Sequence, residues 1–176
     1  MRRREGIGTS HDQPQEGAQE MSIRPKEIPE TTENWAEADF KGRSKSIVTL
    51  MRGYTLVMDE PKHLGGSGEG PSPMDYQVTS LASCTAVMLE RCAKDAKLEI
   101  GSLKVKSAIT YSPRGIAGQE GYQSHPTEAH SEIWLEIDAT EAQIEALKAE
   151  YSRRCPVYNL YKAGGCAMRE TWRVNE

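Results

Sequence analysis

An α+β fold with antiparallel sheets is what this sequence predicts, and three observations predict it. Strand-like runs come in clusters instead of alternating one by one with helices, which gives the order βββ–α–ββ–α–α–β. One long amphipathic helix occupies the middle of the 176-residue chain, directly after a Gly/Pro-rich loop. β-branched or alternating stretches flank it on both sides.

Residues 1–33 are rich in Gly, Gln, Glu, Pro and Arg and show no periodicity. They read as a disordered extension ahead of one ordered domain over residues 34–176. Ala36 to Phe40 is a weak strand, and Ser46 to Met51 (SIVTLM) and Tyr54 to Met58 (YTLVM) are stronger ones, joined by a tight turn at Arg52-Gly53. Asp59 to Pro73 carries GGSGEGPSP and reads as an irregular loop. A helix follows from Pro73 to Ala96, with Ser72 as N-cap, Pro73 in the first turn and Asp75 against the positive helix end. Its apolar stripe runs through Val78, Leu81, Ala82, Met88, Leu89, Cys92 and Ala93. Leu103 to Tyr111 and Ala129 to Ile137 alternate with period two, as half-buried strands do, with a polar loop from Ser112 to Thr127 between them. Thr140 and Gln143 match a capping box for a helix through Tyr151. Cys155-Pro156 opens a short helix that ends at Gly164-Gly165, and Cys166 to Val174 closes the domain as a strand.

Composition narrows the function. The chain holds 22 basic and 26 acidic residues, a net charge of −4, so it carries no basic footprint for nucleic acid and no polybasic patch for a membrane. Hydrophobic residues make up 37%, and no apolar run reaches the roughly 18 residues that span a bilayer. The start MRRREGIG lacks the apolar core of a secretory signal, and Glu5, Asp12, Glu16 and Glu20 argue against a transit peptide; the expected location is the cytoplasm. The four cysteines are too few for a disulfide scaffold, none forms a C-x-x-C pair, and the four histidines are scattered, so no metal site is expected.

Two thiols stand at structural junctions. Cys84 lies midway along the central helix among Ser80, Ala82, Ser83, Thr85 and Ala86, small residues that allow another element to approach closely. Most free cysteines are inert core residues, and Cys84 on the buried stripe could be one of them. Cys155 opens a helix in RRCPV, where the helix end and Arg153 and Arg154 would each stabilise a thiolate. Cys92 is eight residues beyond Cys84 on one helix, roughly 12 Å of rise, too far for a bond between them. Cys92 and Cys166 read as structural. Tyr111, Tyr122, Tyr158 and Tyr161 are candidate pocket-lining residues set against a plain core role.

The segment DEPKHLGGSGEGPSPMDYQVTSLASCTAVMLERCAK, with CPVYNLYKAG downstream, resembles the OsmC/Ohr family of osmotically inducible and organic hydroperoxide resistance proteins, from about Trp35 to Val174. The resemblance implies an intertwined homodimer with sheets enclosing central helices and two active sites at the subunit interface. It implies a thiol peroxidase, an antioxidant oxidoreductase of the oxidative-stress response, acting on organic hydroperoxides without a cofactor. Cys84 would be the peroxidatic thiol and Cys155 the resolving thiol, closing a Cys84–Cys155 disulfide that a dithiol such as dihydrolipoamide reduces. Such a bond, spanning 71 residues, would add roughly 4 kcal/mol in a chain-entropy model. An arginine would activate the thiolate, with Arg43 fitting better than Arg52. Well-characterised members carry a glutamate right after the loop proline; here Pro73 is followed by Met74, and Asp75 comes one position later. That departure points to a less characterised branch. It also supports an alternative: a small hydrophobic ligand-binding or stress-response protein on the same scaffold, with weak or no peroxidase activity.

Overall fold

The structure is a computed structural model that describes residues 28–176. Two units are distinguished, Met1–Trp35 and Ala36–Glu176. Of the first, residues 28–35 are described and contain no helix or strand; the expected disordered extension otherwise lies outside the described residues.

The second unit begins with a three-stranded antiparallel sheet of β1 (Ala36–Gly42), β2 (Lys45–Leu50) and β3 (Thr55–Met58). Arg43 and Ser44 make the first turn in the left-handed region, at φ 51° and 60°. The loop that follows is more ordered than its composition predicts. A 3-10 turn spans Lys62–Leu64, and the buried Asp59 carboxylate gathers the rest. It accepts the backbone N–H groups of Glu60 (2.8 Å), Ser67 (3.1 Å) and Glu69 (2.9 Å), together with the Ser67 hydroxyl (2.6 Å). Gly66 passes so close that a Cβ there would stand 1.7 Å from the Glu60 carbonyl oxygen, so only glycine fits. The Glu69 N–H and the Ser67 hydroxyl, in that order, hold the Asp59 carboxyl well below the usual carboxylate range. A depressed carboxyl stabilises the fold above its unfolded pKa, about 4, and loses that contribution as pH falls. Asp59→Asn is therefore expected to be less stable than wild type at pH 6, with the gap narrowing towards pH 2.5; chemical denaturation at both pH values checks it.

Helix α1 (Pro73–Asp95) starts at Ser72 as the sequence predicts, through a reciprocal capping box with Asp75. The second sheet orders β4 (Ile100–Thr110), β5 (Glu128–Ile137) and β6 (Ala167–Val174). Between β4 and β5 the polar segment contains a one-turn helix, α2 (Pro113–Ile116), capped by Ser112. Helix α3 (Glu141–Arg154) runs three residues beyond Tyr151; Arg153 and Arg154 both reach back to Glu150, one turn earlier, which favours the extra turn. Helix α4 (Pro156–Ala163) follows at once.

One expectation is corrected. β4 and β5 are antiparallel, but β5 and β6 are parallel, with Glu128 opposite Ala167 and Leu135 opposite Val174. The sheets are thus not all antiparallel. The physical reason is the connection: α3 and α4 supply a crossover long enough to return the chain to the same end of the sheet. No helix among the described residues is long and apolar enough to cross a membrane.

The core under β4–β5–β6 has two apolar clusters. One joins Leu89 and Cys92 of α1 to Ile133, Leu135, Leu147 and Tyr151; the other joins Leu81, Ala129, Tyr161 and Cys166. Between them the sheet turns a polar row inward: Ser107 sits opposite Ser131, which sits opposite Glu170. The first sheet is less covered, and Phe40 on β1 and Tyr54 just before β3 are 68% and 66% exposed.

Candidate active site: a thiol pair where α1 meets the α3–α4 junction

Small residues on α1 let the junction of α3 and α4 approach, and this brings two sulfurs together. Cys84 Sγ and Cys155 Sγ are 3.5 Å apart, with the Cys155 thiol as donor. Cys84 is half-buried and Cys155 is fully buried. All four cysteines are free thiols in this structure. A disulfide of about 2.05 Å would need the sulfurs to close by about 1.5 Å from their present separation.

Cys155 ends one helix and starts the next. Its N–H donates to the Tyr151 carbonyl (2.8 Å), closing α3, while its sulfur accepts the Tyr158 N–H at 3.5 Å, capping α4. Pro156 follows at the first helical position, where its missing N–H costs nothing. The sequence-based expectation of a depressed Cys155 pKa is corrected here. Burial pushes the thiol up to about 11, the Tyr158 N–H opposing this only in part and Cys84 adding to the rise. The two arginines are engaged elsewhere: Arg153 pairs with Glu150 (2.6 Å) and Arg154 with Asp95 (2.9 Å). Arg154 also lies against Cys92, which is buried and whose thiol burial likewise pushes up. Cys166 is buried too and donates its thiol to the Pro126 carbonyl (2.7 Å).

The remaining predicted residues separate from the pair. Arg43 is exposed in the β1–β2 turn and Arg52 in the β2–β3 turn, and no hydrogen bond or ion pair among the described residues joins either to the thiols. Met74 is half-buried at the second position of α1. Asp75 does not take over from a glutamate, because its carboxylate is committed to the helix cap, accepting the Ser72 N–H (2.8 Å) and hydroxyl (2.7 Å). Tyr111 and Tyr122 line an open groove of about 580 Å³ with Arg114, at the far end of β4. Tyr158 belongs to the thiol site through its backbone, and Tyr161 is buried with its hydroxyl on the Gln77 carbonyl (3.2 Å).

Sequence reasoning missed the polar groups beneath the thiols. Thr85, next to Cys84, is fully buried and its hydroxyl pairs with that of Tyr151 at 2.9 Å. Tyr151 packs edge-on against Tyr158 and Trp172, with centroids 5.7 and 6.1 Å apart. Glu170 lies beyond it, accepting the Trp172 indole N–H at 3.0 Å. A signal was present: period-two alternation in CAMRETWRV puts Glu170 on the same face as Met168, Trp172 and Val174. A carboxylate on an apolar face calls for a reason.

A pair of reduced cysteines, one half-buried and one buried, held in contact where a long central helix meets a helix junction over a mixed sheet, defines an α+β thiol-pair domain. The OsmC-like protein family model matches residues 66–167, more than half of the chain and both thiols. The protein belongs to the OsmC-like family. Its fold is similar to that of an OsmC-like protein from Mycoplasma pneumoniae, at 17% identity and a TM-score of 0.70, covering 82% of this chain and 99% of that one. It is also similar to an organic hydroperoxide resistance protein OsmC from Legionella pneumophila, at 19% identity and TM-score 0.60, covering 81% and 98%. A third similar structure is a putative organic hydroperoxide resistance protein from Vibrio cholerae with captopril bound in one of its active sites, at 22% identity and TM-score 0.58, covering 86% and 97%. Among curated proteins the sequence has no match.

Proposed function

We propose that this protein is a thiol peroxidase for organic hydroperoxides, a peroxide-stress protein that works through Cys84 and Cys155. The observation that carries the reading is the 3.5 Å contact between the two sulfurs, 71 residues apart in sequence. In this scheme the Cys84 thiolate attacks the terminal peroxide oxygen, the O–O bond breaks, and the alkoxide takes a proton and leaves as alcohol. Cys84 is then a sulfenic acid. The Cys155 sulfur attacks it, the S–O bond breaks, and the Cys155 proton leaves with the hydroxide as water. A small dithiol, dihydrolipoamide in type, reduces the disulfide, being itself oxidised to a disulfide. The raised Cys155 pKa suits the second role: at neutral pH this sulfur carries the proton that the departing oxygen needs.

Within this reading the protein is a cytoplasmic homodimer, and Arg43 is the activating cation. The exposed Phe40 on β1 and Tyr54 at the edge of β3 support a partner subunit covering the first sheet. The second reading, a binding protein for a small hydrophobic ligand, is favoured by Met74 in place of the family carboxylate and by the commitment of Asp75 to its cap.

The test is a thiol count on purified protein before and after one equivalent of cumene hydroperoxide, with peptide mapping. Loss of two thiols with a Cys84–Cys155 crosslink is expected. Four unchanged thiols would overturn the peroxidase reading and leave ligand binding.

A further inference from the structure

The polar row between the two core clusters leads towards the thiols. Ser107 and Ser131 bond to each other across β4 and β5 (2.8 Å), and Glu170 is next in the row. One carboxylate oxygen of Glu170 accepts from Trp172. The other, Oε1, is sealed from solvent and has no hydrogen-bond partner among the described residues. A buried carboxyl oxygen left unpaired is costly and unusual. The hydroxyl of Tyr151 lies close enough to bias the charge on Glu170; that hydroxyl in turn pairs with Thr85, next to Cys84. Tyr151 is also the residue whose carbonyl closes α3 onto Cys155. The line from Glu170 through Tyr151 thus ends at the backbone N–H of Cys155 and at Thr85, the residue after Cys84.

We infer that Glu170 is a positioning residue of the thiol site, acting through Tyr151 and Thr85, and that the charge on its carboxyl sets how readily Cys84 reacts. Either hydroxyl of the Thr85–Tyr151 pair can be the donor. When Glu170 is ionised, the Tyr151 O–H is drawn to the carboxylate and Tyr151 accepts from Thr85. When Glu170 is neutral, its own O–H donates, and the order of donors along the line reverses. The ionised state passes its negative charge along this line towards Cys84, which disfavours a thiolate there. The groups facing Glu170 are Lys148 and Tyr151 from α3, Tyr158 from α4, Ser131 from β5 and Trp172 from its own strand. Burial, the largest influence, pushes the carboxyl above the usual range, against the opposing Trp172, Tyr151 and Lys148; its charge therefore changes nearer to neutral pH than that of an ordinary glutamate.

The inference rests on Cys84 being the reactive thiol, and its test does not use peroxide, so it fails or stands separately from the peroxidase reading. The full-length chain is alkylated with iodoacetamide from pH 5 to 9, and the rate at Cys84 is followed by peptide mapping. Glu170→Gln keeps an acceptor for the Trp172 N–H but cannot ionise. It is expected to raise the Cys84 rate at neutral pH about threefold or more and to move the midpoint of the profile down by roughly half a unit. In a Tyr151→Phe background the same change is expected to lose most of that effect. Should Glu170→Gln not fold, Trp172→Phe removes the donor that favours the ionised carboxyl and is expected to shift the profile in the same direction. A folded Glu170→Gln protein, or a Trp172→Phe protein in its place, with the wild-type profile would overturn the inference. So would an effect that persists undiminished without the Tyr151 hydroxyl.

Discussion

Cys84→Ser is expected to abolish consumption of organic hydroperoxide, while Cys155→Ser permits one oxidation per chain and then stops. A serine hydroxyl cannot form the sulfenic acid, so the first variant loses the chemistry itself and its rate should fall to the uncatalysed background. In the second, the Cys84 sulfenic acid still forms but finds no thiol at 3.5 Å. A burst of one equivalent, followed by no turnover in the presence of a dithiol, is the expected trace. Trapping with dimedone should label Cys84 in Cys155→Ser and not in wild type after reaction. Full activity in Cys84→Ser would remove the thiol mechanism altogether. The distinction between the variants matters because packing alone does not assign the roles: each cysteine packs with the same apolar cluster as Leu89 and Ile133.

The largest loss of stability is expected at Tyr151. This side chain is fully buried, the largest of the described residues in that state. It fills the space between α1, α3 and β6, edge-on to Tyr158 and Trp172, with its hydroxyl on Thr85. Tyr151→Ala would leave an aromatic-sized cavity and cost about 3–5 kcal/mol. It would also leave the buried Thr85 hydroxyl without that partner. Tyr151→Phe keeps the ring and loses only the hydroxyl pair, about 1 kcal/mol. Urea denaturation followed by Trp fluorescence separates the two, since Trp172 is in contact with the ring. Equal destabilisation by Phe and Ala would mean that the hydroxyl, and not the ring, holds the junction.

Local rules carry far in this chain, and their limits follow from what they leave out. Ser72 and Thr140 sit where capping boxes form, and period two marks β4 and β5, because those signals are local. The parallel partner of β5 was not visible, since alternation in Cys166 to Val174 says which face is buried but not which way the strand runs. The 3-10 turn at Lys62–Leu64 and the single turn of α2 are too short for periodicity to register. At the site, the identity of the two thiols was visible through motif and resemblance, but their proximity depends on how α1 packs against α3 and α4. The electrostatics of Cys155 were misjudged for a related reason. Arg153 and Arg154 are its sequence neighbours, yet the helix turns them towards Glu150 and Asp95. Burial, a tertiary property, then decides the sign of the shift.

Cys155 is shared between two helices, closing α3 with its N–H and capping α4 with its sulfur. It acts as the pin of a pivot, and the pin is the atom that would be consumed in chemistry. Where Cys155 rather than Cys84 makes the roughly 1.5 Å movement to a bond of ordinary length, its sulfur would strain its hold on the Tyr158 N–H, now at 3.5 Å. Closing the bond in that way would therefore loosen the first turn of α4 while clamping α1 to the junction. Oxidation state would become readable in the backbone, as faster amide exchange at Tyr158 and slower exchange along the middle of α1.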